Sequence, residues 1–139
     1  MNGDRDRNEL AAAAAFIRER DDFLVVSHVQ PDGDAAASTC AMGWLLGALG
    51  KTYTMINEGE LPRRFSYLRG WDQVGSYAAH PPERVFANII TVDCADFARV
   101  GQVQALFADG ADIANIDHHP TNDSFGRVNV LRSEAAATV

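Results

Sequence analysis

Four short apolar runs set the rhythm of the chain: residues 23–27 (Phe-Leu-Val-Val-Ser), 52–57, 88–92 (Asn-Ile-Ile-Thr-Val) and 111–116. The first and third are continuous rather than alternating, the pattern of a strand covered on both faces in a parallel sheet. Residues 126–130 read as a fifth strand. Helix formers fill the intervals. Residues 8–19 predict an opening helix, and Asp34 reads as the N-cap of a helix running to about Leu49 with Gly50 as its terminator. Residues 97–107 predict a third helix, ended by Asp109-Gly110. Residues 63–68 predict a short helix, and the alanine-rich 133–139 the first turns of another, capped by Ser133. The stretch 59–82 is the least regular, and 71–80 takes no assignment. Strands alternating with helices at this spacing imply right-handed crossovers, hence an α/β fold: a doubly wound, mostly parallel sheet with helices on both faces. Ligands of such sheets collect at the carboxyl ends of the strands.

At 139 residues and 47% hydrophobic content the chain is one globular domain with enough apolar material for a core. A net charge of −7 and a pI near 4.9 argue against a broad basic face for duplex DNA. Metal cations would change that reading, because several acids would then be ligands rather than solvated charge. Cys40 and Cys94 are too few for a disulfide framework and fit no zinc-knuckle spacing, so both are expected as free thiols. The apolar run 11–17 stops at Arg18-Glu19-Arg20-Asp21-Asp22, too short for a signal peptide or membrane span. The cytoplasm is the default location.

Three polar clusters stand where buried strands would end. They are His28-Val29-Gln30-Pro31-Asp32-Gly33-Asp34, Asp93-Cys94-Ala95-Asp96 and Ile116-Asp117-His118-His119-Pro120. A pair of divalent ions about 3.5–4 Å apart needs a bridging carboxylate, further carboxylates to neutralise it, and imidazoles on its outer positions. His28, Asp32 and Asp34 would supply three ligands from one strand-turn-helix segment, Gly33 letting the backbone turn tightly between the acids. Asp93 could bridge, and His118 would close the opposite side. Oxygen and imidazole ligands without thiolate favour Mn²⁺, two ions, over structural zinc, with Mg²⁺ or Co²⁺ as alternatives. Each cluster alone reads as an ordinary turn, helix cap or loop; their coincidence at equivalent strand ends is what carries the metal reading. His80 is expected in an exposed loop, Cys94 in the core, and Asp96 and Asp123 as cap or turn residues. Arg63, Arg64 and Arg69 read as a solvated helix face, phosphate contact being the alternative. There is no glycine-rich nucleotide loop and no nucleophile elbow.

The segments Ser27 through Ala35, Val92-Asp93-Cys94-Ala95-Asp96, Asn115 through Asn122 and Glu134-Ala135-Ala136-Ala137-Thr138 resemble, in that order, the DHH phosphoesterases. Within that family they resemble the branch of oligoribonucleases and 3′-phosphoadenosine 5′-phosphate phosphatases. The resemblance implies that His28 and Asp32 hold one Mn²⁺, that Asp34 and His118 hold the other, and that Asp93 bridges. Asp117 would orient the histidines and His119 would contact the transferring phosphoryl group. The implied activity is metal-dependent phosphoester hydrolysis of short single-stranded RNA or a nucleoside 3′,5′-bisphosphate by an activated water. Pyrophosphatase and cyclic-dinucleotide phosphodiesterase activities share this metal set, and a non-catalytic metal- or nucleotide-binding module is the alternative of another class. The family also carries a further aspartate ligand and a substrate-binding DHHA1 domain. The expectation is therefore a DHH catalytic domain over 1–139, incomplete at its C-terminal end, without that second domain and weak by itself. The residues give no oligomeric state.

Overall fold

Phe23, Leu24, Val25 and Val26 are fully buried, as their unbroken apolar run requires, and they form β1 (Phe23–Val26) at the middle of the sheet. In the computed structural model, which describes residues 2–139, the remaining elements are α1 (Asn2–Glu19), α2 (Gly33–Ala48), β2 (Tyr53–Asn57), β3 (Gly75–Ser76), β4 (Phe86–Val92), β5 (Phe107–Asp117) and β6 (Val128–Leu131). Short 3-10 turns occupy Arg63–Phe65, Trp71–Gln73 and Phe97–Leu106. The six strands run in the order β3-β2-β1-β4-β5-β6 and every pairing is parallel, the α/β class expected. The chain winds outward from β1 in one direction and then returns to lay β4 on the other side. That reversal makes the gap beyond β1 and β4 the switch point at which such sheets hold ligands. No helix among the described residues is long and apolar enough to cross a membrane.

Alternation along the buried strands divides the core in two. Phe23, Val25, Ile90 and Val92 pack with Phe16 and Ile17 of α1 and Leu46 of α2, whereas Leu24, Val26 and Ile89 pack with Val100, Val103 and Leu106 on the other face. Helix α2 ends where Gly50 predicted: its φ is 71°, its N–H donates to Gly47 O, and Lys51 N–H reaches Leu46 O, a Schellman arrangement. Near its middle, a Cβ on Gly43 would come 2.5 Å from the Met55 sulfur, so glycine lets α2 lie close on β2.

Four expectations change. Helix α1 starts at Asn2 rather than near residue 8. Residues 97–106 are not an α-helix: Gly101 (φ 71°, ψ −145°) breaks the run into 3-10 turns. Their buried residues Val100, Val103 and Leu106 recur every third position, the period that keeps one face in a 3-10 helix. Asp109-Gly110 lies inside β5, which begins at Phe107, and marks an irregularity in that strand. The register jumps from Phe86 opposite Phe107 to Asn88 opposite Asp112, and Gly110 takes φ 71° within the bulge. Residues 133–139 form a turn and an extended tail instead of a helix. The amides of Thr138 and Val139 donate to the Asp34 carboxylate instead of to helical carbonyls.

Gly101 matters beyond its own turn. A Cβ there would stand 2.6 Å from both Val29 Cγ1 and Glu58 Oε1, while Val29 N–H donates to Arg99 O at 2.8 Å, so this segment clamps the loop that follows β1. Gly101→Ala should therefore destabilise the domain by about 2–3 kcal/mol in urea unfolding, the combined cost of a backbone conformation closed to L-residues and a steric clash. A loss under about 0.5 kcal/mol would mean that the clamp yields freely.

Candidate metal centre

Each polar cluster leaves the sheet at the same edge. His28 follows β1 by two residues, Asp93 comes directly after β4, Asp117 is the last residue of β5, and His118 and His119 come next. The acids of the first cluster are delivered by α2. Its N-cap is Asp32, whose side chain accepts from Ala35 N–H at 3.0 Å, and not Asp34 as expected. Asp34 lies instead in the first helical turn, where the positive end of the helix favours a carboxylate. Gly33 does not make the tight turn either: it opens α2, and the positive φ falls on Gln30 at 52°.

Asp93 is the meeting point. It is 1% exposed, and its two oxygens face different partners. Oδ2 lies 3.4 Å from His28 Nε2, while Oδ1 lies 3.5 Å from His118 Nε2 and 3.8 Å from His119 Nδ1. Asp32 Oδ1 stands 3.8 Å from His28 Nε2 on one side, and Asp34 Oδ2 stands 3.2 Å from His118 Nε2 on the other. Two sets able to hold an ion result, His28, Asp32 and Asp93, and Asp93, Asp117, His118 and His119, with Asp93 common to both. The backbone accepts strain to put it there. Asp93 has φ 58°, a left-handed conformation costing about 1 kcal/mol or more for a residue with a Cβ, and its N–H is fixed on Ile116 O at 2.9 Å. All seven residues predicted for the site thus converge, with Asp34 joined to the second set through His118.

The histidines are held in the tautomer that a ligand needs. His28 Nδ1 donates to Val29 O at 2.7 Å and His118 Nδ1 to Ala135 O at 3.1 Å. A carbonyl can only accept, so Nδ1 carries the proton in both rings and Nε2 is left for a cation. His119 Nδ1 instead donates to Asp117 Oδ1 at 2.6 Å. The hydrogen bond to Asp93 raises the pKa of His28 above its ordinary value, although burial opposes it. Burial also pushes Asp34 upward, but hydrogen bonds from Thr138 and Val139 N–H outweigh it and hold that carboxyl below the usual range. Cys94, beside the shared acid, is fully buried and donates to Asp96 O; burial pushes its thiol up to about 12, so thiolate takes no part. Oxygen and neutral imidazole donors around a shared carboxylate fit hard or borderline divalent ions.

The motif residues around the ligands also carry roles that the sequence did not assign. Thr91 Oγ1 donates to Asn115 Oδ1, Asn115 Nδ2 to Asn122 Oδ1, and Asn122 Nδ2 to Asp117 Oδ2 at 2.8 Å, a chain that runs from the buried sheet to His119. Thr138 Oγ1 donates to Asp93 Oδ1 at 2.9 Å. Asn57, at the end of β2, accepts from Ser27 N–H and Oγ–H, and its buried Nδ2 has no partner among the described residues. Spacing could have flagged Asn122, which follows the His118-His119 pair on the same loop. Thr138 stands in the last of the segments that carry the family resemblance, but without a role attached to it, and Asn57 gave no signal of its own. Asp96 caps the following turn by accepting from Arg99 N–H, His80 is exposed, and both cysteines are free, as expected.

Comparison with known proteins adds to this geometry. The family description "DHH family, N-terminal domain" matches residues 22–139. The bifunctional oligoribonuclease and PAP phosphatase NrnA of Thermus thermophilus is 35% identical over 84% of the chain, and its namesake in Bacillus subtilis 27% identical over 76%. The chain spans about a third of the length of these relatives, 33% and 32% respectively. The crystal structure of an exopolyphosphatase-related protein from Bacteroides fragilis superposes with a TM-score of 0.84 at 21% identity, covering 95% of this chain and 41% of that one; at this identity the likeness speaks for the fold.

Asn122 is the natural test of the supporting chain, since it touches Asp117 and lies outside both ion-holding sets. Asn122→Ala should destabilise the domain by about 1.5–3 kcal/mol in urea unfolding, the usual cost of taking a hydrogen-bond donor from a buried carboxylate. Unchanged stability would show that Asp117 and His119 hold their places unaided.

Proposed function

The chain belongs to the DHH family through its N-terminal domain, and on that footing we propose that it is the catalytic lobe of a manganese-dependent phosphoesterase acting on short oligoribonucleotides or a nucleoside 3′,5′-bisphosphate. The observation that carries this reading is the division of Asp93: one oxygen faces His28 and Asp32, the other faces His118 and Asp34. A carboxylate so placed suits a bridge between two cations. When bound, such a pair supplies a nucleophile from water near neutral pH and neutralises charge building on the phosphoryl oxygens.

In this assignment His28, Asp32 and Asp93 would hold one ion, and Asp34, His118 and Asp93 the other. Hydrolysis forms a bond from water oxygen to phosphorus, breaks the bond to the leaving oxygen, and returns a proton to that oxygen. His119 is the group left to meet the phosphoryl oxygens: Asp117 takes its Nδ1–H, and its Nε2 has no partner among the described residues. Asp117 positions that ring and is itself fixed by Asn122. The identity of the relatives named NrnA supports the substrate class, and the mixed oxygen and imidazole donors support manganese.

The chain loaded with Mn²⁺ should hydrolyse a diribonucleotide or adenosine 3′,5′-bisphosphate, lose activity with a chelator, and regain it when Mn²⁺ is restored. Asp93→Asn should lower turnover by about 10³-fold, because both ions lose charge at once. Turnover within about threefold of wild type would rule out the bridging role. Mn²⁺ uptake without any turnover would instead mark a metal-binding module.

A further inference from the structure

Beside the loop that carries Asp32 and Asp34 lies the turn Arg63–Phe65. Gly33 stands between the proposed ligands Asp32 and Asp34. The side chain nearest it belongs to Phe65, whose Cε1 and Cζ lie 3.5 and 3.7 Å from where a Cβ on Gly33 would be. The turn carrying Phe65 is firmly built: Phe65 N–H donates to Pro62 O, Ser66 N–H to Arg63 O, and the indole N–H of Trp71 to Pro62 O at 3.2 Å. On the same turn the guanidinium carbon of Arg64 sits 4.6 Å from the centroid of the Phe65 ring.

Of the eleven arginines, Arg64 is one of six with no ion-pair partner among the described residues, and of those six it is the one held against an aromatic ring. In a chain of net charge −7, Arg5, Arg20, Arg84, Arg127 and Arg132 each pair with an acid. Arg64 is exposed and pairs with none among the described residues. Its neighbour Arg63 lines a separate hollow that also contains Glu60 and Asp72. A guanidinium stacked on an aromatic face is held in position with its N–H edge free for two-point contact with phosphate.

We infer that Arg64, positioned by Phe65, is an anion subsite next to the metal centre, so that the preferred substrate carries a second phosphate beside the one hydrolysed. This rests on the phosphoesterase reading and narrows it. The guanidinium rests on the Phe65 ring and the ring edge in turn touches Gly33, so Arg64 adjoins the Asp32-Gly33-Asp34 loop through Phe65 and would meet a group beside the scissile one. A nucleoside bisphosphate or an internal phosphodiester supplies that neighbour, and a lone monoester does not.

The test compares adenosine 3′,5′-bisphosphate with adenosine 3′-monophosphate on the Mn²⁺-loaded chain, with Mn²⁺ affinity measured in parallel. Arg64→Gln should raise KM for the bisphosphate by roughly 10- to 100-fold, the range expected for one charge-assisted contact, and leave kcat, the monophosphate KM and Mn²⁺ affinity within about twofold. Phe65→Leu should reproduce the effect and Phe65→Tyr should preserve wild-type behaviour, which separates positioning from general loss of structure. A bisphosphate KM unchanged in Arg64→Gln, or equal losses on both substrates, overturns the subsite alone. No binding or turnover of either compound by the wild-type chain overturns the phosphoesterase reading and the subsite with it.

Discussion

A carboxylate shut away from water governs this edge of the molecule. Asp93 is 1% exposed, and an isolated buried charge costs several kcal/mol unless partners surround it. The partners are His28, His118, His119 and the Thr138 hydroxyl, but they bring Asp32, Asp34 and Asp117 with them. Four carboxylates then face three imidazoles. Even with every ring protonated the cluster keeps a net negative charge, and with neutral rings the excess is larger. Cations are the chemical answer to that imbalance, and the two oxygens of Asp93 are already directed to separate halves of the cluster.

The fold makes such crowding tolerable by fixing each member from a different direction. The sheet reverses its winding between β1 and β4, so the loops after these neighbouring strands open onto one space. Val29, next to His28, is anchored from the second face of the sheet by Arg99, and the positive end of α2 receives Asp32 and Asp34. Asp117 is steadied from inside the sheet through Asn115 and Asn122. The like charges are thus held together by rigid elements whose stability comes from the apolar core, and not by attraction at the site itself.

The parts legible in the sequence were those where one local pattern admits one answer. Continuous apolar runs at Phe23 and Ile89 could only be buried strands, Gly50 could only end a helix, and acids and histidines after three such strands could only meet at one edge. What the sequence hid depends on competition between near-equal alternatives. Asp32 and Asp34 are both good caps, and the backbone placed the boundary two residues earlier than expected. Residues 97–106 have helical composition, but Gly101 and the three-residue spacing of Val100, Val103 and Leu106 favour the tighter helix. The tail gave up helix because Asp34 and Asp93 offered its donors better acceptors. The two-residue β3 and the stacking of Arg64 on Phe65 are tertiary events with no periodic signal.

Two cations sharing the Asp93 carboxylate are the centre of the proposed chemistry. Anomalous diffraction at the manganese absorption edge, from crystals of the chain grown with Mn²⁺, examines that directly. Two peaks about 3.5–4 Å apart, each touching a different oxygen of Asp93, are the predicted result. A single peak, or peaks away from Asp93, would contradict it.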